Sequence, residues 1–274
     1  MQARPLLEAR GRGSTHTDTS ADLGRTTTSG RFDTDGVKYA SGEYVSWSAL
    51  EHIAQDDSGC YEVRGHDLVR IQKMSEWSGR LASLYPTPGP PALLLSGTLM
   101  HRIKGLHPGQ DTQRKLRPLG RLAGKRVLDT ATGLGYTAID AAGAGAGVIT
   151  VEWDPAVIDM ERRNPWSQQL FAGDTIDRRQ GDIAEVIEEF DDSAFDGILH
   201  DPPVLELAGD LYGGAFYSQL RRVLARGGRL FHYIGNLESP SGARVSRGVA
   251  RRLDEAGFQD VRQQPDAFGI SARA

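Results

Sequence analysis

The sequence predicts an α/β protein with a doubly wound sheet, because strand-like and helix-like segments alternate from residue 124 onward. Short, uninterrupted apolar runs indicate parallel strands that are buried on both faces. Amphipathic segments with helical spacing separate these runs. A smaller, mostly β unit is predicted before this domain. The predicted strands of the sheet occupy 127–128, 148–151, 197–199 and 230–234.

Helices are predicted between these strands. Asp154 and Pro155 supply an N-cap and a first-turn proline for one helix, which the pair Asn164-Pro165 ends. Two others have apolar residues on one face, and Gly227 ends the second of them. These faces are Ile183, Val186, Ile187 and Phe190 in one helix, and Phe216, Tyr217, Leu220, Val223 and Leu224 in the other.

Shifts in composition predict the domain boundaries. Residues 1–36 are rich in Thr, Ser, Gly and Arg, with almost no apolar periodicity after Leu7, so we expect a disordered tail or translated upstream sequence. Apolar runs return in residues 37–119, a small β-rich domain that is a candidate docking element for substrate. Residues 120–274 form the predicted sheet domain, which binds the cofactor.

Composition and charge exclude several classes of function. A formal net charge of −4 argues against a protein that coats nucleic acid indiscriminately, although it allows a local basic face. Cys60 is the only cysteine, so neither an intrachain disulfide nor a cysteine-based metal site is expected. No apolar run approaches the roughly 18 residues that span a bilayer. We therefore expect a cytoplasmic protein with no membrane segment and no metal.

The stretch DTATGLGYTA at 129–138 predicts a ligand-binding loop at the carboxyl end of the first strand of the sheet domain. Gly133 and Gly135 let the backbone approach a ligand where a Cβ would collide. The third glycine of the dinucleotide-binding fingerprint is missing, and no Gly-Lys-Ser/Thr of a P-loop follows. Two glycines alone are a weak signal.

An acid follows each of three successive predicted strands. Asp129 ends the first, and Glu152 ends the second, where a carboxylate can accept hydrogen bonds from both ribose hydroxyls. Asp182 follows the third, where it could accept from an adenine amino group. Any one acid alone could be a helix cap or a solvated strand end. Together they predict a ligand with an amino group, a ribose and an adenine but no phosphates, which is S-adenosylmethionine.

From about Gly124 to Ala274 the chain resembles the class I S-adenosylmethionine-dependent methyltransferases. Within them it is most similar to a group of predicted archaeal methyltransferases, and this similarity extends back to about Val45. The shared motifs are MHRIKG (100–105), DT (111–112), LDTATGLGYTAI (128–139), NPWS (164–167), HDPP (200–203) and GRLFHYIGN (228–236).

The resemblance implies a Rossmann-like methyltransferase sheet and a set of cofactor contacts. The glycine loop of Asp129, Gly133 and Gly135 would contact the methionine part of the cofactor. Glu152 would hold the ribose, and Asp182 would lie beside the adenine. Thr132 and Thr137 are additional candidate contacts, because their hydroxyls lie in the loop and in the first helical turn.

The motif His200-Asp201-Pro202-Pro203 follows the fourth predicted strand and carries the expected chemistry. The carboxylate of Asp201 and its own carbonyl, held rigid ahead of Pro202, offer two acceptors that orient a nucleophilic amine. Catalysis would then consist mostly of positioning. His200 could relay the proton that the methylated amine releases, or it could be a structural hydrogen-bond donor.

This motif resembles the Asp-Pro-Pro-Tyr element of methyltransferases that act on exocyclic amino groups of adenine or cytosine. The chain departs from it at Val204, where that element has an aromatic ring for stacking on the base. Tyr212 is the preferred substitute, with Phe216, Tyr217 and Trp166 as further candidates. Core packing is the alternative for Phe216 and Tyr217. His232 lies within an apolar strand and is expected to be a core residue.

A basic segment precedes the cofactor loop. Between residues 102 and 126 basic side chains outnumber acids by eight to one, and Asp111 is the acid. Contacts with phosphates, above all by Arg102 and Lys104, are the functional interpretation, and a solvated linker is the alternative. The basic residues are Arg102, Lys104, Arg114, Lys115, Arg117, Arg121, Lys125 and Arg126.

These observations predict an N-methyltransferase that acts on an exocyclic amino group, with a cytidine or adenine of structured RNA, either rRNA or tRNA, as the expected substrate. An aminopropyltransferase of the spermidine or spermine synthase kind is an alternative, for which Glu206 and Asp210 could hold a cationic amine. Small amines are a further class of substrate. A cofactor-binding module without catalysis is the last alternative, against which the intact HDPP motif argues.

Overall fold

The computed structural model describes residues 3–64, 67–205 and 207–274. The chain divides into two compact units. The first comprises Met1–Gly109 and Ala156–Gln168, and the second comprises Gln110–Pro155 and Gln169–Ala274. The division therefore falls before the predicted boundary at residue 120, and a segment of the predicted sheet domain groups with the first unit.

The first unit contains the predicted small β-rich part of the chain, together with helices α1 (Ala3–Gly11) and α2 (Trp47–Gln55). Its strands pair antiparallel in the orders β1-β2-β3-β4, β10-β9-β8-β7 and β5-β6. The strands are β1 (His16–Thr19), β2 (Thr28–Phe32), β3 (Gly36–Tyr39), β4 (Tyr44–Ser46), β5 (Tyr61–Arg64), β6 (Asp67–Arg70), β7 (Gln72–Met74), β8 (Leu81–Tyr85), β9 (Ala92–Leu95) and β10 (Thr98–Leu99).

The predicted disordered tail at residues 1–36 is wrong. Helix α1 and strands β1 and β2 lie within it, and Leu6 is buried in one apolar cluster with Val37 and Trp47. The ring of Phe32 packs edge-on against Trp47 at 5.0 Å. The tail has few apolar residues of its own, but the following segment supplies the apolar partners that cover them.

The second unit is built on a seven-stranded sheet with the order β13-β12-β11-β14-β15-β17-β16. Strands β11 to β15 run parallel, while β17 and β16 add an antiparallel edge. This topology confirms the predicted doubly wound α/β sheet. The strands are β11 (Arg126–Asp129), β12 (Gly147–Glu152), β13 (Ile176–Gln180), β14 (Phe195–His200), β15 (Leu224–Tyr233), β16 (Gln259–Gln264) and β17 (Gly269–Arg273).

The remaining helices follow the predicted periodicity closely. The apolar face of 183–190 is buried, although the α-helix continues after Val186 as a 3₁₀ turn, Ile187–Glu189. Helix α7 ends at Val223, because Leu224 already pairs with Phe195 of β14. The helices are α3 (Pro108–Leu116), α4 (Tyr136–Gly143), α5 (Pro155–Arg163), α6 (Ile183–Val186), α7 (Gly214–Val223) and α8 (Pro240–Glu255).

The strand register brings the candidate acids to one edge of the sheet. Asp129, the last residue of β11, lies opposite Thr150 of β12 and Leu199 of β14. Glu152 and Asp201 follow within two residues of those partners. Strand order reverses between β11 and β14, and such a switch point is where ligands bind in doubly wound sheets.

Candidate cofactor and catalytic site

Asp129 is almost fully buried, at 1% exposure, where β11 ends. Its Oδ2 accepts hydrogen bonds from the hydroxyls of Thr137 (2.9 Å) and Thr150 (3.3 Å). Its Oδ1 is buried too and has no hydrogen-bond partner among the described residues. Burial raises the pKa of Asp129 to about 7, and the nearby Asp201 adds to the rise. A buried carboxylate oxygen is normally satisfied by some donor, so this one fits an ammonium group of a ligand.

The two predicted threonine contacts orient Asp129. The Thr150 hydroxyl gives its proton to Asp129, so the Thr132 hydroxyl, 2.7 Å away, donates in turn to Thr150. Thr137 bonds Asp129 directly from the first turn of α4. Both hydroxyls are therefore engaged within the protein, and they support the cofactor loop from behind the carboxylate.

The two glycines of the loop have different reasons for being glycine. Both have left-handed backbone angles, with φ of 56° at Gly133 and 75° at Gly135. A Cβ built on Gly133 would meet no described atom within 4 Å, so it would point into open space. A Cβ on Gly135 would collide with Leu170, whose Cγ would be 2.6 Å away. Gly133 therefore leaves room for a ligand, whereas Gly135 leaves room for the core.

Glu152 is hydrogen-bonded to the backbone of the glycine loop. Its Oε2 accepts the N–H of Gly133 (2.9 Å), and its Oε1 accepts the N–H of Asp154 (3.0 Å). Burial raises the pKa of Glu152 to about 7, although these backbone donors oppose the rise. A carboxylate oxygen has a second lone pair, so each can still accept a hydroxyl of a ligand.

Asp182 lies after β13 at the same edge of the sheet and is exposed. Its Oδ1 accepts the N–H of Ala184 (2.9 Å), which makes it the N-cap of α6. Capping accounts for an acid at this position. A contact with an adenine amino group stays a prediction.

The carboxylate of Asp201 is held by a buried lysine. Lys115 Nζ lies 2.6 Å from Asp201 Oδ2 and 3.1 Å from Asp111 Oδ2, one turn earlier on α3. The side chain of Lys115 is 4% exposed, and that of Asp201 is 20% exposed. Among the described residues the hydrogen bond to this carboxylate is made at Oδ2, which leaves Oδ1 as an available acceptor.

The charges around Lys115 shift the pKa values of Lys115 and Asp201. Burial by itself would lower the pKa of Lys115, but the carboxylates of Asp201 and Asp111 outweigh it and raise that pKa above its ordinary value. Burial raises the pKa of Asp201, and the Lys115 ammonium offsets part of the rise. Lys115 is therefore a cation at neutral pH, and it compensates part of the negative charge that Asp201 and Asp111 bring to the cluster.

Lys115 and Tyr233 were missed by the sequence analysis. Lys115 was assigned to a segment that contacts phosphates, and that assignment is wrong because the side chain is buried. The ring of Tyr233, at the end of β15, has its centroid 4.3 Å from Lys115 Nζ and is half-buried. The i, i+4 spacing of Asp111 and Lys115 was the available signal for a paired lysine.

His200 is not placed to act as a base. It is fully buried, and its Nε2 donates to the carbonyl of Leu211 (3.0 Å), so Nδ1 accepts from the Thr130 hydroxyl (2.7 Å). Burial lowers the pKa of His200 to about 4. The structural role, which the sequence left as the alternative, is the one that this geometry fits.

Tyr212 is also structural. It is 3% exposed, its hydroxyl donates to the carbonyl of Pro203 (3.2 Å), and its ring packs against His232 at 5.1 Å. The expectation that it stacks on a substrate base is therefore wrong. Phe216 and Tyr217 are buried core residues, as their alternative interpretation predicted.

His232 is a core residue, as predicted. Its Nδ1 donates to the His200 carbonyl (3.2 Å), and its Nε2 accepts from the Tyr217 hydroxyl (3.0 Å). Its ring packs against Tyr212, whose hydroxyl donates to the carbonyl of Pro203. Buried, satisfied side chains of this kind fix the direction in which Asp201 leaves β14.

The predicted substrate contacts fall in different parts of the chain. Val204 follows Pro203 and is 41% exposed. Arg102 and Lys104 belong to the first unit, so they stay predictions as substrate contacts. Glu206 lies outside the described residues, and Asp210 is exposed in a 3₁₀ turn, Gly209–Tyr212.

Neither a metal-binding cluster nor a membrane-spanning helix is found among residues 3–64, 67–205 and 207–274. These residues contain no group of three or more His, Cys, Asp or Glu side chains that could hold a metal ion. Their helices include none with the length and apolarity needed to cross a membrane.

A curated relative identifies the family. The chain is 40% identical over 237 residues to the uncharacterized protein MJ1233 of Methanocaldococcus jannaschii, covering 86% of this chain and 80% of the relative. This chain belongs to the MJ1233 family. No protein-family model matches it.

Solved structures share the fold at low sequence identity. A spermidine synthase in complex with the transition state analogue AdoDATO matches with a TM-score of 0.60 and 16% identity, covering 82% of this chain and 83% of that chain. The spermidine synthase of Thermotoga maritima matches at 0.57 and 17% identity, covering 76% and 74%. A SAM-dependent methyltransferase of Archaeoglobus fulgidus scores 0.44 at 18% identity, covering 55% and 69%. The two higher scores support the α/β fold over most of the family member.

Proposed function

We propose that this member of the MJ1233 family is an S-adenosylmethionine-dependent N-methyltransferase. The observation that carries the proposal is the buried Oδ1 of Asp129, which lacks a donor, and the open space at Gly133 belongs to the loop that follows this residue. A ligand ammonium group would satisfy this oxygen. Asp201, with its free acceptor, lies at the end of the neighbouring strand.

The residues present fit the cofactor. Asp129 would hold its amino group, and Glu152 would accept its ribose hydroxyls. Asp182 would lie toward the adenine, as the resemblance to class I methyltransferases implies. The bound cofactor supplies an electrophilic methyl group on a sulfonium sulfur. Three carboxylates at one edge also suit the positive charge of such a ligand.

Asp201 would position the substrate amine. Lys115 holds Oδ2 at 2.6 Å, so the carboxylate cannot rotate freely and Oδ1 is the oxygen left to accept from the substrate. An amino group that donates one hydrogen to Oδ1 and another to the Asp201 carbonyl has its lone pair fixed in direction. Because Lys115 compensates the charge of Asp201, the amine can remain neutral and nucleophilic. The proton that the methylated amine releases passes to Asp201 or to water.

The substrate we propose is an exocyclic amino group of cytidine or adenine in structured RNA. The Asp-Pro-Pro sequence supports an amine that carries two hydrogens and is attached to a planar ring. Val204 gives no stacking surface. Tyr233, whose ring packs against the Lys115 ammonium, is the aromatic residue that we propose beside the substrate base in place of Tyr212.

Aminopropyl transfer is a second candidate, favoured by the likeness of the fold to spermidine synthases over most of the chain. Asp201 could accept a hydrogen bond from an aliphatic amine as well as from a nucleobase. The two candidates differ in their cofactor, because aminopropyl transfer requires decarboxylated S-adenosylmethionine.

Calorimetry with both cofactors separates these candidates. We expect S-adenosylmethionine to bind more tightly, and a preference for the decarboxylated form would favour aminopropyl transfer. The absence of heat with either compound, and with S-adenosylhomocysteine, would contradict both. Mass spectrometry of nucleosides from a deletion strain and its parent then tests the substrate, since a methylated nucleoside should be missing from the deletion strain.

A further inference from the structure

A groove rich in arginine lies on the second unit, outside the candidate catalytic site. It encloses about 360 Å³ between α3, the 3₁₀ turn Arg117–Leu119 and the antiparallel edge of the sheet. Guanidinium groups come from three separate parts of the chain. The arginine groove is defined by Arg114, Arg117, Arg229, Arg262 and Arg273.

The strand register places the sheet arginines on one face. Arg229 of β15 lies opposite Arg273 of β17, and Arg262 of β16 lies opposite Ser271 of β17, two residues from Arg273. Tyr233 is four residues along β15 from Arg229 and therefore points to the same face. At about 3.3 Å per residue, Tyr233 lies about 13 Å along β15 from Arg229, which lines the groove.

The groove carries an excess of positive charge. Its lining contains five arginines and two aspartates, Asp260 and Asp266, so the net charge of the lining is three positive. Asp260 is shared by Arg262 (3.4 Å) and Arg273 (3.7 Å), whose side chains are 73% and 52% exposed. Because the whole chain has a net charge of −4, this local excess of positive charge favours an anionic partner.

The arginine groove adjoins the candidate catalytic site through helix α3. Arg114 precedes Lys115, the residue that holds Asp201, and its guanidinium donates to the backbone carbonyl of Asp266 (3.4 Å). Arg229 similarly donates to the carbonyl of Pro118 (3.3 Å). These backbone bonds fix two guanidiniums along the walls, while Arg262 and Arg273 stay accessible at the rim.

We propose that the arginine groove binds the phosphodiester backbone of the RNA substrate and directs a nucleotide toward Asp201 and Tyr233. The inference rests on the proposed function and names its substrate-docking surface. Guanidinium groups bind phosphate oxygens in bidentate geometry, and spaced guanidiniums along an open groove suit a chain of phosphates. None of the residues that line the groove is aromatic, so it reads the backbone and not the base.

The test is fluorescence anisotropy with labelled unfractionated tRNA as the probe, measured over a series of salt concentrations. The groove variant is Arg262→Gln with Arg273→Gln. The matched control, Arg247→Gln with Arg251→Gln, removes the same charge from α8, whose Val249 packs with Leu230 on the opposite face of the sheet. Thermal unfolding of both variants checks that each is folded.

We expect the groove variant to bind tRNA at least roughly tenfold more weakly at about 50 mM salt. The slope of log K against log salt should fall by about one for each arginine removed. The control pair should keep the wild-type slope. An unchanged slope in the groove variant, or an equal loss in the control, would overturn the proposal. Equal binding of poly-L-glutamate would also overturn it, because the groove would then recognise charge without preferring phosphate.

A second measurement separates this proposal from the proposed function. Calorimetry with S-adenosylmethionine should give the same affinity for wild type and groove variant, because the groove lies apart from Asp129 and Glu152. If the cofactor fails to bind wild type, the proposed function fails whatever the tRNA result. If the cofactor binds and RNA is methylated, but the groove variant keeps wild-type tRNA affinity, the groove proposal alone fails.

Discussion

The carboxyl ends of β11 and β14 lie side by side and each carries a buried acid, yet the two acids are satisfied in opposite ways. Asp129 is held by neutral threonine hydroxyls, and its second oxygen has no donor among the described residues. Asp201 is held by the ammonium group of Lys115. Neutral donors leave the charge of Asp129 uncompensated, whereas a cation already balances that of Asp201.

The difference separates two chemical tasks at one edge of the sheet. Asp129 is suited to bind a cationic group, because a ligand ammonium would provide the missing charge and the missing hydrogen bond. Asp201 is suited to accept a hydrogen bond from a neutral amine, because the Lys115 ammonium offsets part of the rise that burial causes in the pKa of Asp201. Exchanging the two environments would impair both tasks, and the following experiments act on them separately.

The largest effect is expected from Asp201→Asn. The amide oxygen would accept from the Lys115 ammonium, which leaves the amide nitrogen, a donor, where the substrate amine needs an acceptor. We expect methyl transfer to RNA from a deletion strain to fall by about 10³-fold or more, roughly 4 kcal/mol of barrier, with cofactor affinity by calorimetry within about twofold of wild type.

The matched control is Asp196→Asn, which alters an exposed carboxylate on the same strand that pairs with Lys125. It should keep wild-type turnover. Wild-type turnover in Asp201→Asn would remove Asp201 from the mechanism.

Lys115→Met removes the cation between Asp111 and Asp201. Two buried carboxylates are then left without compensation, so we expect the free energy of unfolding in urea to fall by about 3–5 kcal/mol at neutral pH. The loss should shrink at lower pH, because burial raises the pKa of Asp201, which therefore binds a proton more tightly in the folded state than in the unfolded chain.

Lys125→Met is the control, since its salt bridge with Asp196 is exposed and worth less than about 1 kcal/mol. A Lys115→Met variant that loses no more stability than this control would show that the buried cluster is not coupled as we describe.

The two loop glycines should separate stability from binding. Gly135→Ala combines a left-handed backbone with a collision at Leu170, so we expect a loss of about 2–4 kcal/mol in stability. Gly133→Ala adds only the backbone strain of about 1–2 kcal/mol, but its Cβ enters the open space, and cofactor affinity should fall about tenfold.

Urea unfolding and calorimetry measure the two quantities. If the Gly133→Ala protein binds the cofactor as tightly as wild type, the open space at residue 133 is not part of the cofactor site.

The smallest effect is a dependence of cofactor affinity on pH. The pKa of Asp129 is raised to about 7, so the carboxylate must lose its proton before it can bind a cation. Below about pH 7 we expect the protonation of Asp129 by itself to lower affinity by about tenfold for each pH unit, and this loss should disappear as pH rises above 7. Glu152 has a similar pKa and contributes to the wild-type profile.

Asp129→Asn isolates the contribution of Asp129. Its affinity should be lower at pH 8, and its fall with decreasing pH should be less steep by one proton. Identical slopes in the two proteins would assign the pH dependence to Glu152 alone.

Local patterns in the sequence predicted the fold of the sheet domain and the edge at which its candidate acids meet. The parallel strands are continuous apolar runs, and acids that follow such strands meet at one edge whatever the details of packing. For this reason the positions of Asp129, Glu152 and Asp201 follow from strand assignments alone. The helix at 155–163 likewise follows from a proline at its first turn and another after its end.

Sequence patterns did not predict the role of a residue where that role depends on contacts with a distant part of the chain. Residues 1–36 are poor in apolar side chains, and only Val37 and Trp47 reveal that Leu6 is buried. Tyr212 was expected to meet substrate, but its hydroxyl bonds Pro203 instead. Histidine is a residue type that can act as a base, but both ring nitrogens of His200 are engaged in buried hydrogen bonds, which exclude that role.

The sequence by itself determined the α/β architecture, the edge at which the acids meet and the loop that passes between them, because these follow from local periodicity and the directionality of parallel strands. Only the tertiary structure decided which charges are paired. Lys115 is one of several basic residues in a short segment, and burial against Asp111 and Asp201 separates it from the arginines that face solvent. The strength of an electrostatic interaction depends on distance and desolvation, and both are set by the packing of residues far apart in the chain.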